Sequence, residues 1–560
     1  MRFNKRTTIS FFMFLVFLNF TVRYYLLGTH EEGADSFLIH SLANTITTYG
    51  NAKWIIHPLS YFGLTPLSYP CAVPYLLSGI SQISGVNMET SVLIFSFTSS
   101  IIGLGAAYVM AMEIKRDHIF AFTIAFIFSL APIFVEFTMW EATTRTLFIA
   151  FLPILVWSLL RTYGDQPKKG INIFMCILFF TMLGTIHHMF LMLPLFLIAY
   201  FTSLFIYNRV IKKITKEHWA FRYQTLIFII VLIIFFLPQF SHQGIYSTTS
   251  WQKYQTGMFF NGEEKYIIFL NMLVDYWSRI GLFGFLGLIG LIALVYHPKK
   301  KIIDDIKRYR FKKSQNEIFV IVCLLATIPF VTMGIYVSLI FLPFYSIIIG
   351  YAMVRIIKIL RRNKHILRVF VIIFILTSVN FTIFMNHHWN QSITSQQASE
   401  HTYSASIYLN KHFDNTTLSN DGLFAARISA FSEMPCLPLG GPHAAWYPPD
   451  LLVYDFADVE DYTFSRLSFD AVILTQSDYL YTTNFGINAN KDWNSLMRSE
   501  TNDKNNYPLY DRYEIEQVIE YLPHEHKYYY WSERKSDFMR SLDDNNYILY
   551  DNGEARIWLL

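Results

Sequence analysis

Acidic, histidine and arginine side chains recur where long apolar runs of this sequence end, and in those positions they could do chemistry. The first group lies in the stretch T-H-E-E-G-A-D-S-F, residues 29–37, which contains Glu31, Glu32 and Asp35. This stretch directly follows an apolar run that should enter a membrane, where isolated charge is costly. A carboxylate here could take a proton from an attacking hydroxyl or amide, or bind a hard divalent cation.

Two further groups follow later apolar runs. The stretch A-P-I-F-V-E-F-T-M-W-E-A-T-T-R carries two carboxylates, Glu136 and Glu141. A second pair of carboxylates near the first would suit general acid–base catalysis or cation binding. Basic side chains could bind or neutralise a phosphate leaving group. They occur in this stretch, in a third group at G-T-I-H-H-M-F (184–190), and farther along the chain. These basic candidates are Arg145, His187, His188 and Arg279.

Each group also has a structural interpretation. Asp35 or Ser36 is the kind of residue that caps a helix, and Glu31 and Glu32 would then be solvated loop residues. A helix is predicted over 36–47, because the segment has an amphipathic pattern. A helix lying at the membrane interface would hold Asp35 at the depth of lipid headgroups. Its apolar stripe consists of Phe37, Ile39, Leu42, Ala43 and Ile46.

The second and third groups have structural alternatives as well. Glu141 and Arg145 are four residues apart, the spacing of an ordinary ion pair on a helix. His187 and His188 lie in a very short turn at the predicted membrane edge, and their rings could be satisfied by the backbone alone. Ionisable groups at that depth otherwise face the protein interior or a wet cavity.

The composition indicates a polytopic α-helical membrane protein. Of 560 residues, 53% are apolar and only 15% are charged, whereas a soluble protein has roughly a quarter charged residues. The four cysteines form no CxxC or Cys/His metal spacing, so the sequence indicates neither a structural zinc site nor a disulfide scaffold.

About eleven membrane spans are predicted from apolar runs near the length needed to cross roughly 30 Å of hydrocarbon. They lie near residues 8–27, 88–113, 118–134, 145–161, 171–186, 189–207, 224–240, 276–296, 317–333, 335–353 and 368–386. The segment 70–86 is either an extra span or a re-entrant segment.

Lysine and arginine residues concentrate in alternate loops between these spans. By the positive-inside rule, those loops and the N-terminus are cytoplasmic. The long loop 28–87 and everything after residue 386 are then extracytoplasmic, and we expect the protein in the plasma membrane. The sequence therefore predicts a transmembrane domain over 1–386.

Residues 387–560 are predicted to form a mixed α/β domain on the outer side. The stretch D-A-V-I-L-T at 470–475 is typical of a strand, and 516–522 has helical periodicity. The end of the chain reads N-Y-I-L-Y-D-N-G-E-A-R-I-W-L-L, which predicts a β-hairpin around the Asn-Gly turn.

This layout resembles the GT-C superfamily of membrane glycosyltransferases, which includes oligosaccharyltransferase catalytic subunits and protein O-mannosyltransferases. The resemblance is carried by a basic N-terminus, a first span, the outer loop with G-A-D-S-F, and the later P-I-F-V-E-F-T-M-W-E. It implies that Asp35 is the catalytic base or a metal ligand. It also implies a second acidic residue, for which Glu141 is the better match and Glu136 the alternative.

The resemblance further implies a sugar donor linked to a polyprenyl phosphate such as dolichol phosphate, held with its tail among the membrane lipids. The acceptor would be a glycan or a protein on the outer face. The chain lacks the W-W-D-Y-G acceptor-binding signature of oligosaccharyltransferases, so transfer of a monosaccharide is favoured over transfer of a whole oligosaccharide. No nucleic-acid partner is predicted.

A divalent cation, Mg²⁺ or Mn²⁺, is implied only if the protein follows the oligosaccharyltransferases, because lipid-monosaccharide relatives generally need none. Asp35 and Glu141 would be its ligands. A multi-span lipid or glycan transporter or flippase is the alternative function, and a receptor with a membrane anchor is a further one. The spans have no inverted repeat and no deep charges of the kind that mark a transport pathway, which favours the enzyme.

Overall fold

The computed structural model describes most of the predicted transmembrane part and pieces of the C-terminal part. The described residues are 5–50, 72–162, 169–207, 274, 276–295, 315–327, 335–392, 398–412, 416–419, 422–433, 436–438, 469–475, 547–551 and 555–559. The predicted span 224–240 and the predicted helix 516–522 lie outside them, as does most of 387–560.

The described part is mainly helical. In chain order its helices are α1 (Lys5–Leu26), α2 (Ala34–Tyr49), α3 (Ala72–Ser84), α4 (Met88–Ile114), α5 (His118–Ser129), α6 (Pro132–Glu136), α7 (Thr144–Arg161), α8 (Lys169–Ile186), α9 (Pro194–Phe205), α10 (Leu286–Val295), α11 (Gln315–Thr327), α12 (Ile335–Leu360), α13 (Lys364–Ser392), α14 (Glu400–His412) and α15 (Gly422–Ser432). Two 3-10 helices, His188–Met192 and Leu282–Phe285, precede α9 and α10.

Within the described residues, five helices are long and apolar enough to cross a membrane: α1, α4, α7, α12 and α13. Several shorter helices are also apolar, among them α5, α8, α9, α10 and α11. The exposed faces of α1 and α13 are rich in phenylalanine, isoleucine and leucine, as expected for surfaces in contact with lipid. The protein is therefore a multi-helix membrane protein.

The core forms where α4 packs on α5 and α7, and where α12 packs on α5 and α10. Gly290 shows how close two of these helices come. A Cβ atom at Gly290 would overlap the carbonyl oxygen of Ile348, so any larger residue would push α10 away from α12.

The predicted third span, 118–134, is interrupted. Helix α5 ends at Ser129, and α6 starts at Pro132 after a residue with extended backbone, Ala131 at ψ 129°. Proline lacks an amide hydrogen and disfavours the helical conformation in the residue before it. This break separates the short α6 from the span and directs the chain toward α7.

Two later predicted spans are also interrupted. The span predicted at 189–207 divides into a 3-10 helix and α9, which begins at Pro194. The span predicted at 276–296 is interrupted at Gly281, whose φ is 118°. Only glycine adopts such a backbone conformation readily.

Helices α2 and α3 come from the long loop 28–87, predicted to be the first outer loop, and pack against each other. Helix α3 lies within the segment 70–86, which was predicted to be an extra span or a re-entrant segment. It has 13 residues, or about 20 Å of length, and is too short to cross roughly 30 Å of hydrocarbon. The Thr47 and Ser78 hydroxyls hydrogen-bond at 2.8 Å. Helix α3 thus lies alongside α2 in the described structure.

The described C-terminal strands form one mixed sheet. They are β1 (Thr416–Ser419), β2 (Cys436–Pro438), β3 (Phe469–Thr475), β4 (Tyr547–Asp551) and β5 (Ala555–Leu559), in the order β2-β1-β3-β5-β4. Strands β4 and β5 pair antiparallel, which confirms the predicted hairpin. The strand predicted at 470–475 is confirmed as β3. The domain boundary at 386/387 stays a prediction.

Candidate active site

Asp35 lies in the first turn of α2 and forms an ion pair with Arg145 at the start of α7. Arg145 Nη2 is 3.0 Å from Asp35 Oδ2, and the two side chains are 25% and 42% exposed. A negative charge in the first turn of a helix is favourable, because the free amides there carry partial positive charge. The pair is therefore both fixed in position and open to solvent.

Glu136 and Glu141 lie in the segment 136–143, which joins α6 to α7 and is named here the acidic turn. Both side chains are partly buried. Loss of hydration raises the pKa of the Glu141 carboxyl well above its usual value, and the negative charges of Glu136 and Asp35 raise it further, while Arg145 opposes them. Glu141 thus favours its protonated form.

The outer loop holds the acidic turn through two hydrogen bonds. The amide of Ala142 donates to the hydroxyl of Ser36 at 2.7 Å, and the amide of Glu32 donates to the carbonyl of Trp140 at 2.9 Å. Ser36 was one of two predicted helix caps, but α2 begins after Gly33 with no side-chain cap. Ser36 instead links α2 to the acidic turn.

Helix α4 supports the same turn from another side. The Ser96 hydroxyl donates to the Glu141 carbonyl at 2.9 Å, and Trp140 Nε1 donates to the carbonyl of Glu89 at 3.1 Å. These contacts fix the backbone on both sides of the Glu141 side chain. The alternative of an ordinary helix pair between Glu141 and Arg145 does not apply, since Glu141 precedes α7.

The backbone of Gly33 lies directly against the Glu141 carboxyl. Its φ is 93°, and a Cβ atom there would lie 2.6 Å from Glu141 Cδ and Oε1. A glycine is therefore required for two reasons, since the backbone conformation excludes other residues and the close approach leaves no space for a side chain. This close approach places the start of α2, which carries Asp35, next to the acidic turn.

The prediction that Glu31 and Glu32 are solvated neighbours was wrong. Glu31 is fully buried and Glu32 is 8% exposed. Glu31 Oε1 is 2.9 Å from His40 Nδ1 on α2, and burial raises the pKa of the Glu31 carboxyl. Both glutamates are covered because α2 is enclosed by other helices instead of lying open at the interface.

Helices α14 and α15 cover one side of α2. The Ser41 and Ser429 hydroxyls are 2.7 Å apart, and Asn44 Nδ2 donates to the carbonyl of Ala430 at 2.8 Å. Polar residues on the face opposite the predicted apolar stripe are consequently buried. The expected interfacial helix is thus an internal one, and its polar residues contact the C-terminal helices.

His30 joins three elements around this loop. Its Nδ1 is 3.0 Å from Glu89 Oε1 on α4, its Nε2 is 3.3 Å from Glu400 Oε1 on α14, and its ring stacks on Tyr403. The hydrogen bond with Glu89 raises the pKa of His30, and Glu400 adds to that effect. Sequence reasoning missed His30, His40 and Glu89, because their pairing depends on contacts between distant segments.

The remaining basic candidates are placed less directly. His187 is buried and caps the 3-10 helix, with Nδ1 accepting from the amide of Met189 at 2.8 Å. His188 begins that helix, but its side chain is outside the described part. Arg279 is partly buried and precedes Gly281, which lies near Pro132 at the start of α6. Substrate binding by these three residues stays a prediction.

The described residues do not fit a metal ion well. Among them, no group of three or more His, Cys, Asp and Glu side chains is arranged to hold one. Of the two predicted ligands, Asp35 is already paired with Arg145 and Glu141 favours its protonated form. A carboxyl must lose its proton to bind a metal, so Glu141 is a poor ligand in its protonated form.

Comparison with known proteins gives matches among solved structures only. No family model and no curated protein sequence matches the chain. The oligosaccharyltransferase of Archaeoglobus fulgidus, tethered to an acceptor peptide containing the NVT sequon, superposes with a TM-score of 0.56 at 10% identity. The match covers 84% of this chain and 69% of that one. The same protein has been solved with a dolichol-phosphate and an inhibitory peptide, and with zinc and sulfate.

ArnT from Cupriavidus metallidurans bound to undecaprenyl phosphate matches over nearly the full length of both chains. The TM-score is 0.51 at 11% identity, covering 98% of this chain and 97% of ArnT. Both neighbours are GT-C glycosyltransferases. This chain has the GT-C fold. The resemblance expected from G-A-D-S-F and the later acidic motif is thereby confirmed at the level of the fold.

Proposed function

We propose that this GT-C-fold protein is a glycosyltransferase that moves a sugar from a polyprenyl-phosphate donor to a glycan or protein acceptor. The observation that carries the proposal is the ion pair of Asp35 and Arg145 beside Glu141. It combines a solvent-accessible carboxylate, a cation and a carboxyl that favours its proton at one end of the helices. A solvent-accessible carboxyl group beside one whose pKa is raised by burial suits general acid–base catalysis.

Asp35 is the base in the proposed reaction. Its carboxylate accepts the proton of the acceptor hydroxyl or amide, and the freed electron pair attacks the anomeric carbon of the sugar. The bond from that carbon to the phosphate oxygen breaks, and the polyprenyl phosphate leaves with the electron pair. A single displacement inverts the configuration at the anomeric carbon.

Arg145 and Glu141 act on the charge that develops in this step. The guanidinium of Arg145 can donate to a phosphate oxygen while it holds Asp35. A protonated Glu141 donates a hydrogen bond to a sugar or phosphate oxygen and adds no negative charge near the leaving group. Glu136 is the alternative acid, and His187, His188 and Arg279 remain candidates for binding the donor.

The donor class is supported by the neighbours, since ArnT was solved with undecaprenyl phosphate and the archaeal protein with a dolichol-phosphate. A tail of that kind would lie among the membrane lipids, with its phosphate at the outer end of the helices. We propose a cytoplasmic N-terminus and an extracytoplasmic site, because basic residues concentrate in alternate loops, and we propose the plasma membrane as the location.

A lipid or glycan transporter is less well supported. The buried and half-buried charges described above gather at one end of the helices, around α2 and the acidic turn. A transport pathway would need polar groups at several depths through the bundle. The placement of charge therefore favours an enzyme working at one face.

The test uses the full chain in lipid nanodiscs with radiolabelled polyprenyl-phosphate monosaccharides and a mixture of glycan and peptide acceptors. Sugar transfer with release of polyprenyl phosphate is expected, and Asp35→Asn should lower it by about a thousandfold, within the usual range for a general base. Asp117→Asn is the matched control, because Asp117 caps the start of α5, at the opposite end of that helix from α6 and the acidic turn. Equal turnover by wild type and Asp35→Asn would contradict the assigned base.

A further inference from the structure

Arg23 is a fully buried cation near the end of α1. Sequence reasoning missed it, although an arginine within an otherwise apolar run is itself a signal. In the described part of the chain, every acceptor of its guanidinium is a neutral oxygen. The Phe134 ring lies 5.6 Å away and provides a further contact for the positive charge.

The guanidinium connects three segments. Within α1, Nη1 donates to Asn19 Oδ1 at 2.9 Å. At the end of α5, Nη2 donates to the carbonyl of Ser129 at 3.2 Å. In the acidic turn, Nε and Nη2 donate to Thr138 Oγ1 at 2.9 and 2.6 Å, and Nε also contacts the Thr138 carbonyl at 3.2 Å.

Stability alone does not account for a charged residue here. Removing a guanidinium from water is costly, and well-packed apolar residues often replace buried charges without loss of stability. An apolar residue cannot supply directional hydrogen bonds. The rigid donor fork of arginine fixes the relative positions of all the oxygens that it binds.

Thr138 is the point at which this fork reaches the candidate site. It lies between Glu136 and Glu141 in the acidic turn, and its hydroxyl also donates to the carbonyl of Phe134. A movement of Thr138 would move both glutamates relative to Asp35. We propose that Arg23 is a positioning residue, which sets the orientation of the acidic turn toward Asp35.

This inference rests on the proposed function for its catalytic part only, so the test has a second readout. Hydrogen–deuterium exchange of peptides covering 137–143 is measured on full-length protein in nanodiscs, together with kcat and KM. Arg23→Gln should speed exchange in the turn about tenfold or more, as expected for loss of charged hydrogen bonds. It should lower kcat about a hundredfold with little change in KM, since a small displacement of catalytic groups has that effect.

Three further variants separate positioning from folding. Thr138→Val should reproduce Arg23→Gln, Thr138→Ser should keep wild-type behaviour, and the double variant should be no worse than either single one. Leu15→Ala is the folding control, because Leu15 is a buried α1 residue in the same helix without a contact to Thr138 among those described. It should lower thermal stability and leave exchange in the turn unchanged.

The outcomes are distinct. Wild-type exchange and kcat in Arg23→Gln, or independent additive effects of Arg23→Gln and Thr138→Val, would overturn the inference. If Arg23→Gln does not fold, the Thr138→Val and Thr138→Ser pair tests the same contact from its other side. If no sugar is transferred by any form, the proposed function fails, while the exchange data still decide whether Arg23 orders the turn.

Discussion

Arg145 Nη2 lies 3.0 Å from Asp35 Oδ2, and this contact joins the start of α7 to the first turn of α2. The two residues come from different outer segments, so the contact defines where the outer loop meets the acidic turn. The guanidinium of Arg145 holds the Asp35 carboxylate in one orientation. The positive charge of the same arginine also opposes the raised pKa of Glu141.

Replacement of Arg145 should separate its two roles. Arg145→Lys keeps the charge but not the planar fork, and Arg145→Met loses both. We expect Arg145→Lys to raise the donor KM and lower kcat about tenfold, and Arg145→Met to lower kcat by a hundredfold or more, the range for losing one charge-stabilising group. Kinetics with labelled donor measure both values. Arg116→Met, at a loop residue between α4 and α5, is the control and should behave as wild type.

Part of this arrangement could be predicted from the sequence. The apolar runs and the Asn-Gly turn specify local structure strongly, so helices such as α1, α4, α7 and α8 and the pairing of β4 with β5 agree with the prediction, whereas three other predicted spans are interrupted. Asp35, Glu141 and Arg145 could be singled out because charge at the end of a span is unusual. Their position on neighbouring outer turns made it reasonable to expect them in one place.

The contacts among these residues could not be predicted. Glu31 looks like a loop residue in T-H-E-E-G-A-D-S-F, yet it is buried because α15 covers α2. Ser41 and Ser429, which hydrogen-bond there, are 388 residues apart in the chain. The role of Gly33 depends on a close approach by Glu141, which no local pattern encodes. The sequence shows a proline at position 132 within a predicted span, but it did not predict that the span divides there into two helices.

Ionisation of Glu141 should make kcat fall at high pH. Its raised pKa means that the proton is held below that pKa and lost as pH rises through it. If the protonated form is the active one, kcat is full at lower pH and falls as Glu141 ionises. Glu141→Gln keeps a hydrogen-bond donor that cannot ionise, so it should remain active and lose this fall. A pH–kcat profile of both proteins measures the difference.

The matching control is Glu141→Leu, which removes the donor at every pH. It should be slow throughout, by about a hundredfold, the typical effect of losing one donor to a developing charge. If kcat of Glu141→Gln still falls at high pH as in the wild type, the titrating group is not Glu141.

Gly33→Ala should damage the site more than backbone strain alone would. Gly33 and Gly50 both have positive φ, 93° and 70°, but a Cβ atom meets Glu141 at Gly33 and nothing within 4 Å at Gly50. Gly50→Ala should therefore cost about 1 kcal/mol of stability from strain. Gly33→Ala should cost about 1–3 kcal/mol more from overpacking, and should also lower kcat by moving Glu141. Thermal unfolding in detergent and turnover measure the two effects, and equal losses in both variants would contradict the close approach.

His30 should make the attachment of the outer loop to α4 and α14 depend on pH. It faces Glu89 on α4, Glu400 and Tyr403 on α14, and Glu31 in its own loop. Because its pKa is raised in the folded protein, its ionic contribution to stability is fully present below the ordinary value of about 6.5. That contribution is lost as pH rises through the raised value.

His30→Gln should be less stable than wild type at pH 6, and the difference should shrink at pH 9. Thermal unfolding across this range measures it, with His118→Gln as control, since His118 contacts Tyr108 at the far end of α4. A stability difference for His30→Gln that stays constant with pH would show that its contacts are not ionic.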